Sequence, residues 1–291
     1  MAKVLIAGGG PAGLSAALWA HRLGLHAEVV ERESHLGGQL RAYSLPVVDL
    51  PGFGPDTSES LLHHLQHQVT RFGMSIHLGT SLTDWSGITH VATLSNGSHC
   101  LVDRVFYAPG LRSRLLDVPG SELVSDLSVT DFVNDNHRPQ SILMIGAGDR
   151  AVEGAVRLCE AGHRVTLICR SPGLRARMSY QKRILATPID VHYSEVVSRI
   201  QREGTVLQVE LTGMWGASRW EGDAVLVRIG MEPNVNSALA VVQGDIAYPK
   251  ELGLTVIGDA ALNPWERSLV TVFASGMRAM KRLSLQMGDE G

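Results

Sequence analysis

The sequence predicts an α/β chain containing two doubly wound units of one design, and three observations carry that expectation. An apolar run, a glycine turn, a helix-like stretch and a second apolar run follow one another in residues 4–32. The same order returns in residues 142–170. The 291 residues suffice for two domains, or for one domain interrupted by another, at roughly 100 to 200 residues per domain.

In the first unit, Val4-Leu5-Ile6-Ala7 meets Gly8-Gly9-Gly10-Pro11-Ala12-Gly13, and a helical stretch to Leu23 leads through Gly24 to a strand ending at Glu31. In the second, Ile142-Leu143-Met144-Ile145 meets Gly146-Ala147-Gly148-Asp149-Arg150-Ala151, and a helix to Ala161 leads through Gly162 to a strand ending at Cys169-Arg170. A dinucleotide pyrophosphate sits on the unpaired N–H groups of a helix N-terminus, where the helix dipole also favours negative charge. Side chains would block that approach. Gly8 and Gly10, like Gly146 and Gly148, therefore make a tight bend that lets backbone close on phosphate, while Gly13 or the small Ala151 lets helix pack on strand. Glu31 ends the second strand, where a carboxylate accepts ribose hydroxyls. Cys169 holds that place in the second unit. With no acid there to repel a 2′-phosphate, and Arg170 following, the second site leans toward NADP over NAD.

The stretches Ser75–Gly79, His90–Leu94, Leu101–Ala108, Val206–Thr212 and Ala224–Ile229 read as short strands of β-meander crossings. Ser58–Phe72 reads as an amphipathic helix through Leu61, Leu62, Leu65 and Val69. Its His63, His64 and His67 have no carboxylate or cysteine at ligand spacing, so they read as a solvated face.

Composition excludes several classes. Lys plus Arg total 26 against 29 for Asp plus Glu, too balanced for a nonspecific nucleic-acid binder. Apolar residues make up 44% of the chain, which argues against extensive disorder. No apolar run approaches the roughly 20 residues of a membrane-spanning helix. Met1-Ala2-Lys3 leads directly into a short apolar run without signal-peptide order, so a cytoplasmic protein is expected. The three cysteines, Cys100, Cys159 and Cys169, include no Cys-x-x-Cys pair, hence neither a zinc site nor a redox dithiol of that type.

Gly-Gly-Gly-Pro-Ala-Gly at the start, Gly37-Gly38-Gln39-Leu40, Leu50-Pro51-Gly52, Tyr107-Ala108-Pro109-Gly110 and Gly258-Asp259-Ala260 together resemble the low-molecular-weight thioredoxin reductases. They also resemble the related thioredoxin-reductase-like ferredoxin/flavodoxin NADP reductases. The resemblance covers nearly the whole chain. It implies two Rossmann-like dinucleotide-binding domains, an FAD domain interrupted by an inserted NAD(P)-type domain: residues 1–114 and 223–291 around 115–222. It implies an FAD site formed by Gly8, Gly10, Pro11, Ala12, Gly13, Glu31, Arg32, Gly38, Gln39, Leu40, Gly110, Gly258, Asp259, Arg267, Ser268 and Leu269. In that family the Asp of Gly258-Asp259 hydrogen-bonds the ribityl chain, Arg267-Ser268-Leu269 lies where backbone meets the isoalloxazine ring, and the helix Val270–Leu285 closes on the flavin. The second nucleotide site comprises Gly146, Gly148, Asp149, Ala151, Arg170 and Arg175, and the resemblance also implies a homodimer.

The departures narrow the chemistry. Thioredoxin reductases carry Cys-x-x-Cys just before the second unit, where this chain reads Ser125-Asp-Leu-Ser-Val-Thr-Asp-Phe132. Disulfide exchange needs an attacking thiolate, so ordinary thioredoxin reduction does not run through this segment. Pro109 replaces the family's Thr. Ser171 stands where NADPH users carry a second Arg, and Asp149-Arg150 makes the second turn bulkier than the family's Asn or Asp followed by Ser. In place of the aromatic C-terminal extension of the ferredoxin/flavodoxin reductases, Trp265 is the candidate shield for the ring. The resulting expectation is an FAD-dependent oxidoreductase passing electrons between NADPH and ferredoxin, flavodoxin or a small acceptor. The alternatives are a flavoprotein with a weakened NADPH site, ferredoxin-linked or holding a second nucleotide or flavin, and a non-catalytic dinucleotide sensor.

Overall fold

A computed structural model describes residues 2–43, 46–54, 56–125, 127–134, 138–214 and 216–289. Asp126, within the segment where a dithiol would stand, lies outside the described residues. The chain divides into two units, Met1–Arg112 with Glu232–Gly291, and Ser113–Met231.

In unit one, strand Lys3–Ala7 is buried at every position after Lys3. Burial on both faces is what a parallel strand covered by a layer on each side demands. It is the centre of a five-stranded parallel sheet in the order Leu254–Val256, Arg104–Tyr107, Lys3–Ala7, His26–Glu31, Ser75–Leu78. Helix Pro11–Arg22 starts with proline at a first-turn position, where its missing N–H costs nothing. Helix Leu269–Asp289 lies against it: a Cβ at Gly276 would stand 2.4 Å from the Ala12 carbonyl oxygen, and the Ser15 hydroxyl donates to the Phe273 carbonyl at 2.7 Å. Helix Ser58–Arg71 covers the same side further along, burying Leu61, Leu65 and Val69 with Leu14 and Leu40. A three-stranded antiparallel sheet, Leu82–Ser86, Val91–Leu94 and His99–Leu101, completes the unit's other face.

Unit two repeats the plan with four parallel strands, ordered Asp190–Tyr193, Arg164–Cys169, Ser141–Ile145, Ala224–Val227. Alternate residues of the central strand serve two cores. Ile142 and Met144 pack with Val152 and Ala155 of helix Asp149–Glu160. Leu143 and Ile145 pack with Ile200, Leu207 and Val209 of an antiparallel sheet, Glu195–Glu203, Val206–Gly213 and Gly216–Gly222.

Three stretches expected in meanders are instead members of parallel sheets: Ser75–Leu78, Arg104–Tyr107 and Ala224–Val227. Each is short and flanked by turns, and its partners lie far away in sequence, so local pattern does not reveal them. The same cause moves the second domain boundary. It falls after Met231 rather than at 222, because Ala224–Val227 completes the inserted sheet. The first falls after Arg112 rather than at 114.

Candidate functional site

Each parallel sheet has its central strand flanked by neighbours reached in opposite chain directions, and the crevice outside that strand's carboxyl end is where such sheets bind ligands. In unit one the place is Gly8–Gly10. Gly8 has φ of 121°, and a Cβ there would sit 2.2 Å from the Ala108 carbonyl oxygen, so neither the angle nor the space admits a side chain. Gly10 is the residue before helix Pro11–Arg22, whose first turn no side chain caps.

Around this turn the structure gathers most of the expected FAD residues. Glu31 is buried and its Oε2 accepts the Gly9 N–H at 2.6 Å, while Oε1 accepts that of Glu33 at 2.8 Å. The carboxylate therefore holds the turn to the end of the second strand. Gly38, with φ of 51°, approaches within 3.2 Å of the Gly10 Cα at its Cβ position. Gln39 opens a short helix whose Nε2 lies 3.9 Å from the Cβ position of Gly110. Arg32 stands exposed beside Glu31, paired with Glu33 at 3.1 Å. Leu40 differs from the others: its side chain is buried in the apolar cluster with Leu14, Leu36 and Leu61, so it supports the turn from below.

Gly258–Ala261 brings Asp259 to the same unit, and the Gly258 N–H is held by the Ser275 hydroxyl at 2.9 Å. Arg267 donates to the Asp259 carbonyl and the Asp245 carbonyl, each at 3.2 Å. Ser268 and Thr271 cap helix Leu269–Asp289 reciprocally, at 3.0 and 3.2 Å. Trp265, just before, is 83% exposed. The Asp259 Oδ1 is buried and receives no hydrogen bond among the described residues. Burial holds this carboxyl above the usual carboxylate range, opposed by Arg267. A buried acceptor without a donor, beside a glycine turn open in front of Gly10, fits a hydroxyl-bearing dinucleotide such as FAD.

Unit two reproduces the turn. Gly146 has φ of 147° with the Arg228 carbonyl oxygen 2.3 Å from its Cβ position, and Gly148 faces open space. Ala151 is fully buried. Cys169 is buried and its thiol donates to the Gly146 carbonyl at 3.3 Å. Burial pushes that thiol up to about 11. The cysteine thus ties strand to turn, as Glu31 does in unit one. Arg170 and Arg175 are exposed, and the Arg175 N–H donates to the Ala147 carbonyl at 2.8 Å. That bond folds the Arg-rich loop onto the turn. Sequence reasoning missed the second tie. The Asp149 carboxylate accepts the Arg177 N–H at 2.7 Å and its Nε at 2.6 Å, so Asp149 is an anchor for the loop rather than an open ligand.

All three cysteines are free, and burial raises each thiol above its usual value. Thiols held protonated are poor nucleophiles. A triple Cys→Ser variant is expected to show unchanged flavin reduction in stopped-flow absorbance. Lost turnover with flavin still bound would reveal a working cysteine.

Residues 2–276 match the family described as pyridine nucleotide-disulphide oxidoreductase. The chain is 31% identical over 297 residues to a thioredoxin reductase of Treponema pallidum (strain Nichols), covering 95% of this chain and 94% of that protein. It is 29% identical over 303 residues to NADPH-dependent thioredoxin reductase 3 of Arabidopsis thaliana, spanning 94% of this chain but 56% of that longer protein. It is 26% identical over 225 residues to ferredoxin–NADP reductase 1 of Lysinibacillus sphaericus (strain C3-41), covering 73% of this chain and 64% of that protein. The fold is that of Lactococcus lactis thioredoxin reductase, with a TM-score of 0.86 at 22% identity over both whole chains.

Proposed function

This chain belongs to the pyridine nucleotide-disulphide oxidoreductase family, whose thioredoxin reductase and ferredoxin–NADP reductase members use FAD and NADPH, and from that premise we propose that it carries electrons between NADPH and a ferredoxin, a flavodoxin or a small acceptor without a dithiol of its own. The observation that carries the reading is the coexistence of two dinucleotide turns with three cysteines that are all free. Likeness to the Lysinibacillus protein supports a ferredoxin-type carrier. The working form we propose is a cytoplasmic homodimer.

Bound FAD supplies the redox chemistry, taking two electrons as hydride and releasing them together or singly. The chain's own residues bind and orient. Glu31 keeps the lone pairs not used by Gly9 and Glu33 for ribose hydroxyls. Asp259 Oδ1, buried without a donor among the described residues, would accept from a ribityl hydroxyl of the flavin. The backbone of Arg267–Leu269 is braced by the Asp259 and Asp245 carbonyls and by the Ser268–Thr271 cap, which keeps that edge of the site rigid against the ring. In unit two, Gly146 and Gly148 leave backbone open to pyrophosphate, and Arg170 and Arg175 stand ready for a 2′-phosphate.

An anaerobic titration tests the reading: NADPH is expected to bleach the flavin absorbance, and absence of bleaching by either NADPH or NADH would overturn it. Because Ser171 removes one cation, preference for NADPH over NADH should be modest. A charged hydrogen bond contributes about 1.5 to 3 kcal/mol. Arg170→Ala is therefore expected to raise the NADPH dissociation constant roughly tenfold or more and leave NADH nearly unchanged. Equal loss for both nucleotides would contradict the phosphate role.

A further inference from the structure

The two glycine turns are built on one backbone frame, which makes each a reference for the other. In unit one the Gly8 N–H donates to the Val30 carbonyl at 2.8 Å, and the Ala108 N–H donates to the Ala7 carbonyl at 2.7 Å. In unit two the Gly146 N–H donates to Ile168 at 3.0 Å, and the Arg228 N–H donates to Ile145 at 2.7 Å. Ala108 and Arg228 put their carbonyls at nearly the same distance from the two turn glycines, 2.2 and 2.3 Å from the Cβ positions. The frame therefore pairs Ala108 with Arg228, and the aligned turns pair Ala12 with Arg150. Two alanines in unit one are two arginines in unit two, both at the rim of the turn.

Arg150 is exposed and Arg228 half-buried, and each guanidinium has a partner. Arg228 is half-buried and bends back to the carbonyl of Val227 at 2.8 Å, and Arg150 reaches the sulfur of Met231. Burial lowers the pKa of both guanidiniums, and the charge of Arg150 lowers that of Arg228 further. The nearby carboxylate, Glu153, is paired with Arg157 at 3.5 Å, its buried Oε1 receives no hydrogen bond among the described residues, and its charge offsets part of the cost at both arginines. The like charges of exposed Arg150 and half-buried Arg228 repel each other, Glu153 offsets only part of that repulsion, and a bound anion removes more of it. The open space in front of Gly148 lies at the same helix N-terminus, which favours the same sign of ligand.

We propose that Arg150 and Arg228 grip the pyrophosphate of the dinucleotide held by unit two, supplying by side chain what unit one supplies by backbone alone. This deepens the reading above and rests on it. Pyrophosphate is common to NADPH, NADH and ADP-ribose, so the pair sets affinity without choosing among them; that choice belongs to Arg170 and Arg175. The grip also does not involve the nicotinamide, so ADP-ribose, which cannot donate hydride, is expected to compete well against NADPH.

The experiment is calorimetric titration of the FAD-loaded protein with ADP-ribose, NADPH and NADH. It compares the parent with Arg150→Ala, Arg228→Ala and Arg228→Lys. Each alanine variant should weaken all three ligands about tenfold or more while leaving their ratios unchanged, and Arg228→Lys should fall between, since a point charge replaces a forked donor. Retained flavin absorbance and an unchanged or higher melting temperature of the nucleotide-free variants show that the fold survives. Binding by the parent that persists in both alanine variants overturns the inference alone. Loss confined to NADPH would place these arginines at the 2′-phosphate and overturn it as well. A parent that binds none of the three overturns the functional reading, and the inference with it.

Discussion

Replacing Gly10 with leucine is expected to yield a folded protein without flavin. The backbone at Gly10 is extended, with φ of −81°, so a side chain meets no conformational penalty. Its Cβ would touch only the Gly38 Cα, at 3.8 Å. The added isobutyl group therefore extends into the space in front of the helix N-terminus, where the phosphates of FAD would lie. Gly13 makes the contrast. A Cβ there would stand 1.8 Å from the Gly8 carbonyl oxygen, and a leucine would force helix Pro11–Arg22 off its strand. The prediction is thus a pair: Gly10→Leu soluble and colourless with native circular dichroism, Gly13→Leu misfolded. Full flavin content in a folded Gly10→Leu protein would show that the turn does not hold FAD.

The second large effect has opposite signs with and without ligand. Asp259→Ala should weaken FAD retention by tenfold or more, because a charged acceptor is lost from a buried hydroxyl. The same change should stabilise the FAD-free protein at neutral pH, since it removes a buried carboxylate whose Oδ1 has no donor. The pH dependence follows from burial, which raises the folded pKa above the unfolded value. The native state then holds the proton more tightly than the unfolded state. The contribution of Asp259 to stability is fully present below the ordinary carboxylate range and is lost as pH rises through its raised pKa. Melting curves of the FAD-free proteins should therefore diverge from low to neutral pH, with the variant higher at the neutral end. Parallel curves, or a variant that melts lower at neutral pH, would mean that Asp259 is satisfied in a way the structure does not record.

How much of this was legible in the sequence varied with the range of the interaction involved. The turns, Glu31 and the amphipathic helix at 58–71 rest on local spacing, and local spacing is what a sequence displays. Asp259 came from resemblance; alone, Gly-Asp reads as an ordinary turn. The parallel membership of Ser75–Leu78, Arg104–Tyr107 and Ala224–Val227 was hidden because pairing partners that lie far along the chain leave no periodic mark. The role of the Asp149 carboxylate is hidden for a similar reason: it accepts from Arg177, a tie across a loop whose geometry no spacing rule specifies. Leu40 looked like part of a motif and is chiefly a core residue. Arg228 had no sequence signal of its own, because its place at the turn depends on a strand joining from the far side of the inserted sheet.

The insertion also orders events in time. Unit two is one unbroken stretch of chain, Ser113–Met231, whereas unit one needs strand Leu254–Val256 and helix Leu269–Asp289 to complete its sheet and cover Pro11–Arg22. On a ribosome the inserted unit emerges whole while the first strands of its host still wait with an uncovered apolar face, the state most exposed to aggregation. Asp259 and the Ser268 cap come after the inserted unit in the chain, so flavin can be locked in only after that unit has been made. Growth conditions that slow synthesis beyond Met231 should therefore deplete the flavin-loaded protein selectively, while the inserted unit reaches its fold regardless.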